Sequence, residues 1–247
     1  MIYSDFAKVY DQLMQDAQYP KRAEYLFGLF RKFGSVPKLL LDAGCGTGEL
    51  SLLMARKGMD VIGVDASAEM LSEAQKKAVA EKCDVLFLCQ PLEELDLYGT
   101  VDGCVCTLDV LNHFTDKRVL QKALQRISLF MEKKSVFIFD VNTPYKHACV
   151  LGDNTFVYDT PELFYVWQNQ YNPKTCRVDI DLDFFVQREN EGYQRFSESF
   201  CERAYSFEEL KPILNKVGFE ILAVYRDLTL KKPAEQDERL VYVCRKQ

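Results

Sequence analysis

Residues 39–50 read LLLDAGCGTGEL. A short apolar run leads straight into Gly44, Gly46 and Gly48, and a helical pattern, ELSLLMAR, follows. Glycines at a strand-to-helix junction let the backbone turn tightly and approach a ligand at the helix N-terminus. The spacing is GxGxG, one residue short of the GxGxxG used for dinucleotide pyrophosphates. Asp42 stands just before the loop, where a carboxylate repels a pyrophosphate but suits the ammonium end of an amino acid. The next strand, VIGVD, ends on Asp65, which lies 65 − 44 = 21 residues beyond Gly44. A carboxylate at that place is set to accept both hydroxyls of a ribose. The same position also suits a helix cap or a solvated strand end. Taken together, the loop and its two acids point to a zwitterionic, cationic cofactor and argue against NAD.

The pattern around this segment extends the reading. Two amphipathic helices precede it, one through Tyr3, Phe6, Ala7, Tyr10, Leu13 and Met14, the other through Tyr25, Leu26, Leu29, Phe30 and Phe33. Fully apolar strands are expected at Lys38–Asp42, Val61–Asp65, Val85–Cys89, Val101–Thr107 and Ser135–Val141. Helices alternate with them at Glu49–Arg56, at Ala68–Ala80 with Ser67 as N-cap, and along Leu120, Ala123, Leu124, Ile127, Phe130 and Met131. Strands buried on both faces, each followed by a helix, imply a parallel doubly wound sheet. Beyond residue 150 the period changes: Val178, Ile180, Leu182 and Phe184 alternate with Asp179, Asp181 and Asp183. With strand-like runs at Leu163–Tyr171 and Tyr193–Ala204, the span Thr155–Ala204 reads as a small antiparallel layer. Ser206 and Glu209 have capping-box spacing, and Gly218 stops the helix they begin, while Pro212 should kink that helix or shift its start. Phe219–Tyr225 and Leu240–Cys244 read as a closing hairpin.

Composition narrows the function classes. A chain of 247 residues, 48 % hydrophobic and 28 % charged, is enough for one large α/β domain. A formal charge of −6 argues against a nucleic-acid backbone as the main partner, because counterion displacement needs clustered cations. Nine cysteines form no CxxC pair and only His113 and His147 could assist them, so no metal site is expected and the thiols read as reduced. The opening MIYSDFAKVYD carries acids where a signal peptide needs a basic stretch, and no apolar run is long enough to span a bilayer. The expectation is a soluble cytoplasmic protein with no membrane partner.

The strings LLLDAGCGTGEL, VIGVDASAEML and DVLFLCQPLEELDL, in this order and spacing, resemble the class I S-adenosylmethionine-dependent methyltransferases. The likeness extends to YSDFAKVYDQLM, CTLDVLNHF, FIFDVNTPYK and ERAYSFEEL. It is greatest to a bacterial subgroup with an antiparallel insertion after the fifth strand. The resemblance implies an α/β, Rossmann-like, doubly wound and mostly parallel seven-stranded sheet. Residues 1–34 would form a helical cover, 35–150 the cofactor-binding core, 155–204 a β insertion acting as a lid, and 205–247 the closing helix and hairpin. It also implies that S-adenosylmethionine lies over Gly44 and Gly46, with Asp42 supporting its amino group and Asp65 its ribose hydroxyls. Ala66 and Met70 would flank the ribose and adenine, Leu108 would approach the sulfonium, and Tyr10 would cover the cofactor. Where the family often has an acid for the adenine amino group this chain has Pro91, so Gln90 is expected to take that role beside the Leu92 amide.

The methyl acceptor is expected above the fourth and fifth strands, near Asp109, Asn112, His113, Asn142, Tyr145 and His147. His113 has two readings, a base for the acceptor or a residue packed in its loop, and Asp109 is likewise either catalytic or structural. Aromatic residues of the insertion, Trp167 and Tyr165 among them, either line the pocket mouth or fill the layer's core. The leading reading is transfer to a small molecule. An RNA or protein methyltransferase and a non-catalytic, cofactor-binding regulator are the rivals.

Overall fold

The leucine run becomes β1 (Leu39–Ala43). Leu40 packs with one core layer and Leu41 with another, both with no solvent exposure, which is why the strand is apolar at successive positions. The computed structural model describes residues 7, 9–11, 13–160, 163–188 and 192–247. Around β1 lie β2 (Asp60–Asp65), β3 (Leu86–Cys89), β4 (Val101–Cys106), β5 (Met131–Asn142), β10 (Phe219–Arg226) and β11 (Arg239–Lys246). They form one seven-stranded sheet in the order β10-β11-β5-β4-β1-β2-β3. β1 to β5 run parallel, whereas β11 pairs antiparallel with both β5 and β10. α1 (Tyr19–Phe33) and α2 (Glu49–Arg56) cover one face through Leu26, Phe30, Leu52 and Met54. α4 (Lys117–Leu129) and α5 (Phe207–Lys216) cover the other through Leu120, Leu124, Leu210 and Leu214. α3 (Ala68–Glu81) begins at Ser67, whose Oγ accepts the Met70 amide at 3.2 Å.

A second sheet, β6-β7-β8-β9, comprises Thr155–Asp159, Leu163–Asn172, Arg177–Arg188 and Gly192–Arg203. The period-2 alternation on β8 does what it predicts. Val178, Ile180, Leu182 and Phe184 form an inner face, while Ser197 and Ser199 donate to the outward Asp183 and Asp181. Val9 and Leu13 pack against that inner face, so the N-terminal segment lies between the two sheets. Residues 7, 9–11 and 13 are helical, and Met14–Ala17 make a 3-10 turn; Tyr3 and Phe6 lie outside the described residues.

Two local expectations are corrected. β5 starts at Met131 rather than Ser135, because Met131 pairs with Val101 and ends α4 at Leu129. Pro212 does not move the start of α5, because the Ser206–Glu209 capping box fixes it. The carbonyl deprived of its amide partner by Pro212 belongs to Glu208, an exposed residue. Among the described residues no helix is long and apolar enough to cross a membrane, and no cluster of His, Cys, Asp and Glu could hold a metal.

Candidate active site

The glycine loop takes the conformation that its residues permit. Gly44 has φ +78°, and a Cβ there would lie 2.5 Å from the Val110 methyls, so packing against Val110 demands glycine. Gly46 differs: at φ +53° its nearest neighbour would be Tyr10 Cε1 at 3.9 Å, which leaves its face open to the cavity. Asp65 ties the loop to the next helix, accepting the Gly46 amide at 2.8 Å and the Ser67 amide at 2.9 Å. Burial raises its pKa against those two bonds. Asp42 is buried, with Ser51 Oγ donating to it at 2.5 Å. Burial, only partly offset by that bond and reinforced by Asp65, pushes the Asp42 carboxyl up to about 6. A buried acid so placed favours a cationic partner.

The segment after β4 is held from behind. Leu108 and Asp109 have φ +61° and +63°, a left-handed pair of non-glycine residues. Their amides both donate to Asp140, at 2.9 and 3.0 Å. Asp140 in turn receives Arg239 at 2.5 Å and Arg22 at 3.3 Å, and Arg22 makes two 2.9 Å bonds to Asp227. Arg239 also pairs with Asp109 at 2.7 Å. Burial opposes charge on Asp109, but Arg239 and Lys146 outweigh it and hold its pKa below the ordinary carboxylate range. Sequence reading missed Arg22, Asp140 and Arg239.

A cavity of about 570 Å³ runs from this loop to the inner face of the second sheet. Tyr10, Gly44, Gly46, Asp65, Ala66, Met70, Leu92 and Leu108 line one end, with Asp109 and His113 beyond them. Tyr165, Trp167, Leu182, Glu198, Phe200 and Glu202 line the other. A smaller pocket of about 30 Å³ shares Tyr10 and Leu108 and reaches Asp42 and Tyr19. Asp11, next to Tyr10, accepts from Thr47 Oγ1 at 2.5 Å and from Lys77 at 2.7 Å.

Other candidates fall elsewhere. Gln90 is not among the lining residues, because its amide is bound to the backbone of Asp96 at 2.8 and 3.2 Å; Glu93 lines the cavity instead. Asn112 is buried and bridges β5 to β9, donating to the Asn142 and Arg203 carbonyls at 3.2 and 2.9 Å. Asn142 donates to Glu202 at 3.0 Å, and the fully buried His147 sits 3.3 Å from the same oxygen. Asn112, Asn142, Tyr145 and His147 are not among the residues that line the cavity. Glu198 and Glu202 went unnoticed, although on β9 they share the period-2 face of Phe196 and Phe200.

Residues 40–133 match the model of a methyltransferase domain family. The chain is 34 % identical, over all 247 of its residues and 98 % of the relative, to the Bacillus subtilis (strain 168) protein YqeM, a methyltransferase by name. It superposes with a TM-score of 0.90 on an S-adenosylmethionine-dependent methyltransferase from Clostridium acetobutylicum ATCC 824, at 34 % identity over 98 % of both chains. The CcbJ methyltransferase of Streptomyces caelestis shares the fold alone, with a TM-score of 0.82 at 20 % identity over 98 % of this chain and 96 % of that one. The buried Asp42, the open face of Gly46 and the inward Asp65 fit a ligand that joins an amino acid to a nucleoside.

Proposed function

The chain belongs to the S-adenosylmethionine-dependent methyltransferases, and from that premise we propose that its acceptor is a small molecule held between the glycine loop and the second sheet. The observation that carries this reading is one continuous cavity that joins the two. Its volume falls in the range of small-molecule sites, and a layer of sheet closes it over.

In this reading Asp42 faces the amino group of the cofactor, and Asp65 accepts its ribose hydroxyls while keeping Gly46 and Ser67 in place. Ala66, Met70 and the Leu92 amide meet the base, and Glu93 replaces Gln90 at its amino group. Tyr10 covers the site, and Leu108 stands by the reacting centre. The bound cofactor supplies a methyl group activated on a sulfonium. The protein's part is to orient the acceptor for in-line attack and to exclude water. Arg239 holds Asp109 as an ion pair, which makes it a positioning residue, so contact with the acceptor is assigned to His113. Together with the N-terminal cover, the 155–204 layer forms the lid.

The test is to incubate the enzyme and methyl-labelled cofactor with a bacterial metabolite extract, a protein fraction and an RNA fraction. Label in the metabolite fraction is the expected result. Label confined to protein or RNA overturns the proposal, and tight binding of S-adenosylhomocysteine with no labelled product favours a regulator.

A further inference from the structure

The acceptor end of the cavity has a chemistry that the cofactor does not require. Five carboxylates line the whole space, those of Asp65, Glu93, Asp109, Glu198 and Glu202, and among the described lining residues there is no lysine or arginine. Three of the five have other work. Asp65 holds backbone amides, Asp109 pairs with Arg239, and Glu202 receives Asn142. Glu93 stands at the nucleoside end. Glu198 is different: its Oε1 is buried and has no hydrogen-bond partner. It projects from β9 opposite Leu182, on a face that it shares with Glu202, Phe196, Phe200 and the β8 apolar residues.

A carboxylate oxygen on an apolar face destabilises the fold unless something charged meets it. Burial also raises the Glu198 pKa, as expected for an acid awaiting a cation or a proton. Around it stand aromatic surfaces, Trp167, Tyr165 and Phe200, with His113 ringed against Phe200 at 5.3 Å. Aromatic faces attract an organic cation and pack against its apolar body.

We propose that the acceptor is an amine on an aromatic or apolar body, drawn in as its ammonium ion and held at Glu198. This rests on the small-molecule reading above. Before transfer one ammonium proton passes to the Glu198 carboxylate. The nitrogen lone pair then forms the new N–C bond as the methyl–sulfur bond breaks, its electron pair remaining on sulfur. The products are the N-methylated ammonium ion and the thioether. An anionic acceptor meets only like charge here and is rejected.

Two measurements test this. The first is calorimetry on S-adenosylhomocysteine-loaded protein with tryptamine, its alcohol counterpart tryptophol, and indole-3-propionate. Tryptamine should bind about tenfold or more tighter than tryptophol, in line with a charged hydrogen bond, and the carboxylate should not bind. Glu198→Gln should erase that preference while leaving nucleoside affinity and melting temperature undiminished, whereas a merely structural glutamate would lower the latter. Equal binding of amine and alcohol, no binding of tryptamine, or an unchanged preference in the variant overturns the proposal. The second sorts labelled small molecules by charge. Label retained on a cation exchanger, and lost with Glu198→Gln, supports the amine. Label in a neutral or anionic metabolite rejects the amine but keeps the small-molecule reading, whereas label only in protein or RNA removes that reading itself.

Discussion

Asp42 couples the cofactor site to pH. Its carboxyl titrates near 6 in the free protein, because burial and the neighbouring Asp65 disfavour its charge. The folded state therefore binds this proton more tightly than the unfolded state, and stability falls as pH rises from about 4 to about 6. That fall amounts to about 3 kcal/mol. A ligand ammonium favours the ionised form, so binding should expel a proton. Affinity for S-adenosylhomocysteine should drop about tenfold per unit below pH ~6, and calorimetry in buffers of different ionisation enthalpy should register the release. Asp42→Asn should bind more weakly with a flat profile; a flat profile in the wild type would remove Asp42 from the contact. Asp42 and Asp65 were legible because each sits at a fixed offset from the glycines. Gln90 bonds the backbone of Asp96, six residues on, through both its amide nitrogen and its oxygen, a pairing that residue type alone does not reveal. Glu198 could have been found by carrying the Phe196–Phe200 alternation through it.

The N-terminal helical segment acts as a wedge. Asp11 bonds Thr47 of the glycine loop, Tyr10 lines the cavity, and Val9 and Leu13 pack into the second sheet. From sequence, replacing residues 155–204 with a short Gly/Ser loop should leave cofactor binding intact, since no proposed contact lies within them. The packing of Val9 and Leu13 changes that expectation. Without the sheet the wedge loses its apolar support, and cofactor affinity should fall by about 5–30-fold, the equivalent of ~1–2 kcal/mol. Asp11→Ala should weaken binding in the same direction with the sheet in place. Unaltered affinity in both proteins, measured by calorimetry, would mean that the wedge is not coupled to the site. The strands themselves were readable from period and composition. What they pack against was not, because alternation identifies an apolar face and not its partner.

The network Arg22–Asp140–Arg239–Asp109 spans α1, β5, β11 and the turn after β4. Its members are 99 and 118 positions apart in two of these contacts, so no local pattern marks them. Arg239→Met strands Asp109 without its cation and removes one of the two held by Asp140. The loss should be about 3–5 kcal/mol, or roughly 6–20 °C in melting temperature. Wild-type Asp109 is stabilising above the ordinary carboxylate pKa, and that contribution fades as pH falls toward its depressed value. The gap between wild type and variant should therefore narrow below about pH 4, and an equal gap at pH ~2 and pH ~7 would refute the assignment. The position of β11 also has a temporal meaning. It is synthesised after every other strand described, yet it takes an interior place between β5 and β10. A nascent chain leaves the ribosome N-terminus first. Until β11 emerges, the apolar edge of β5 has no hydrogen-bonding neighbour on that side and stays open to wrong pairing. The strand that closes it also delivers Arg239, so the edge of β5 is covered and Asp109 gains its paired cation in one step.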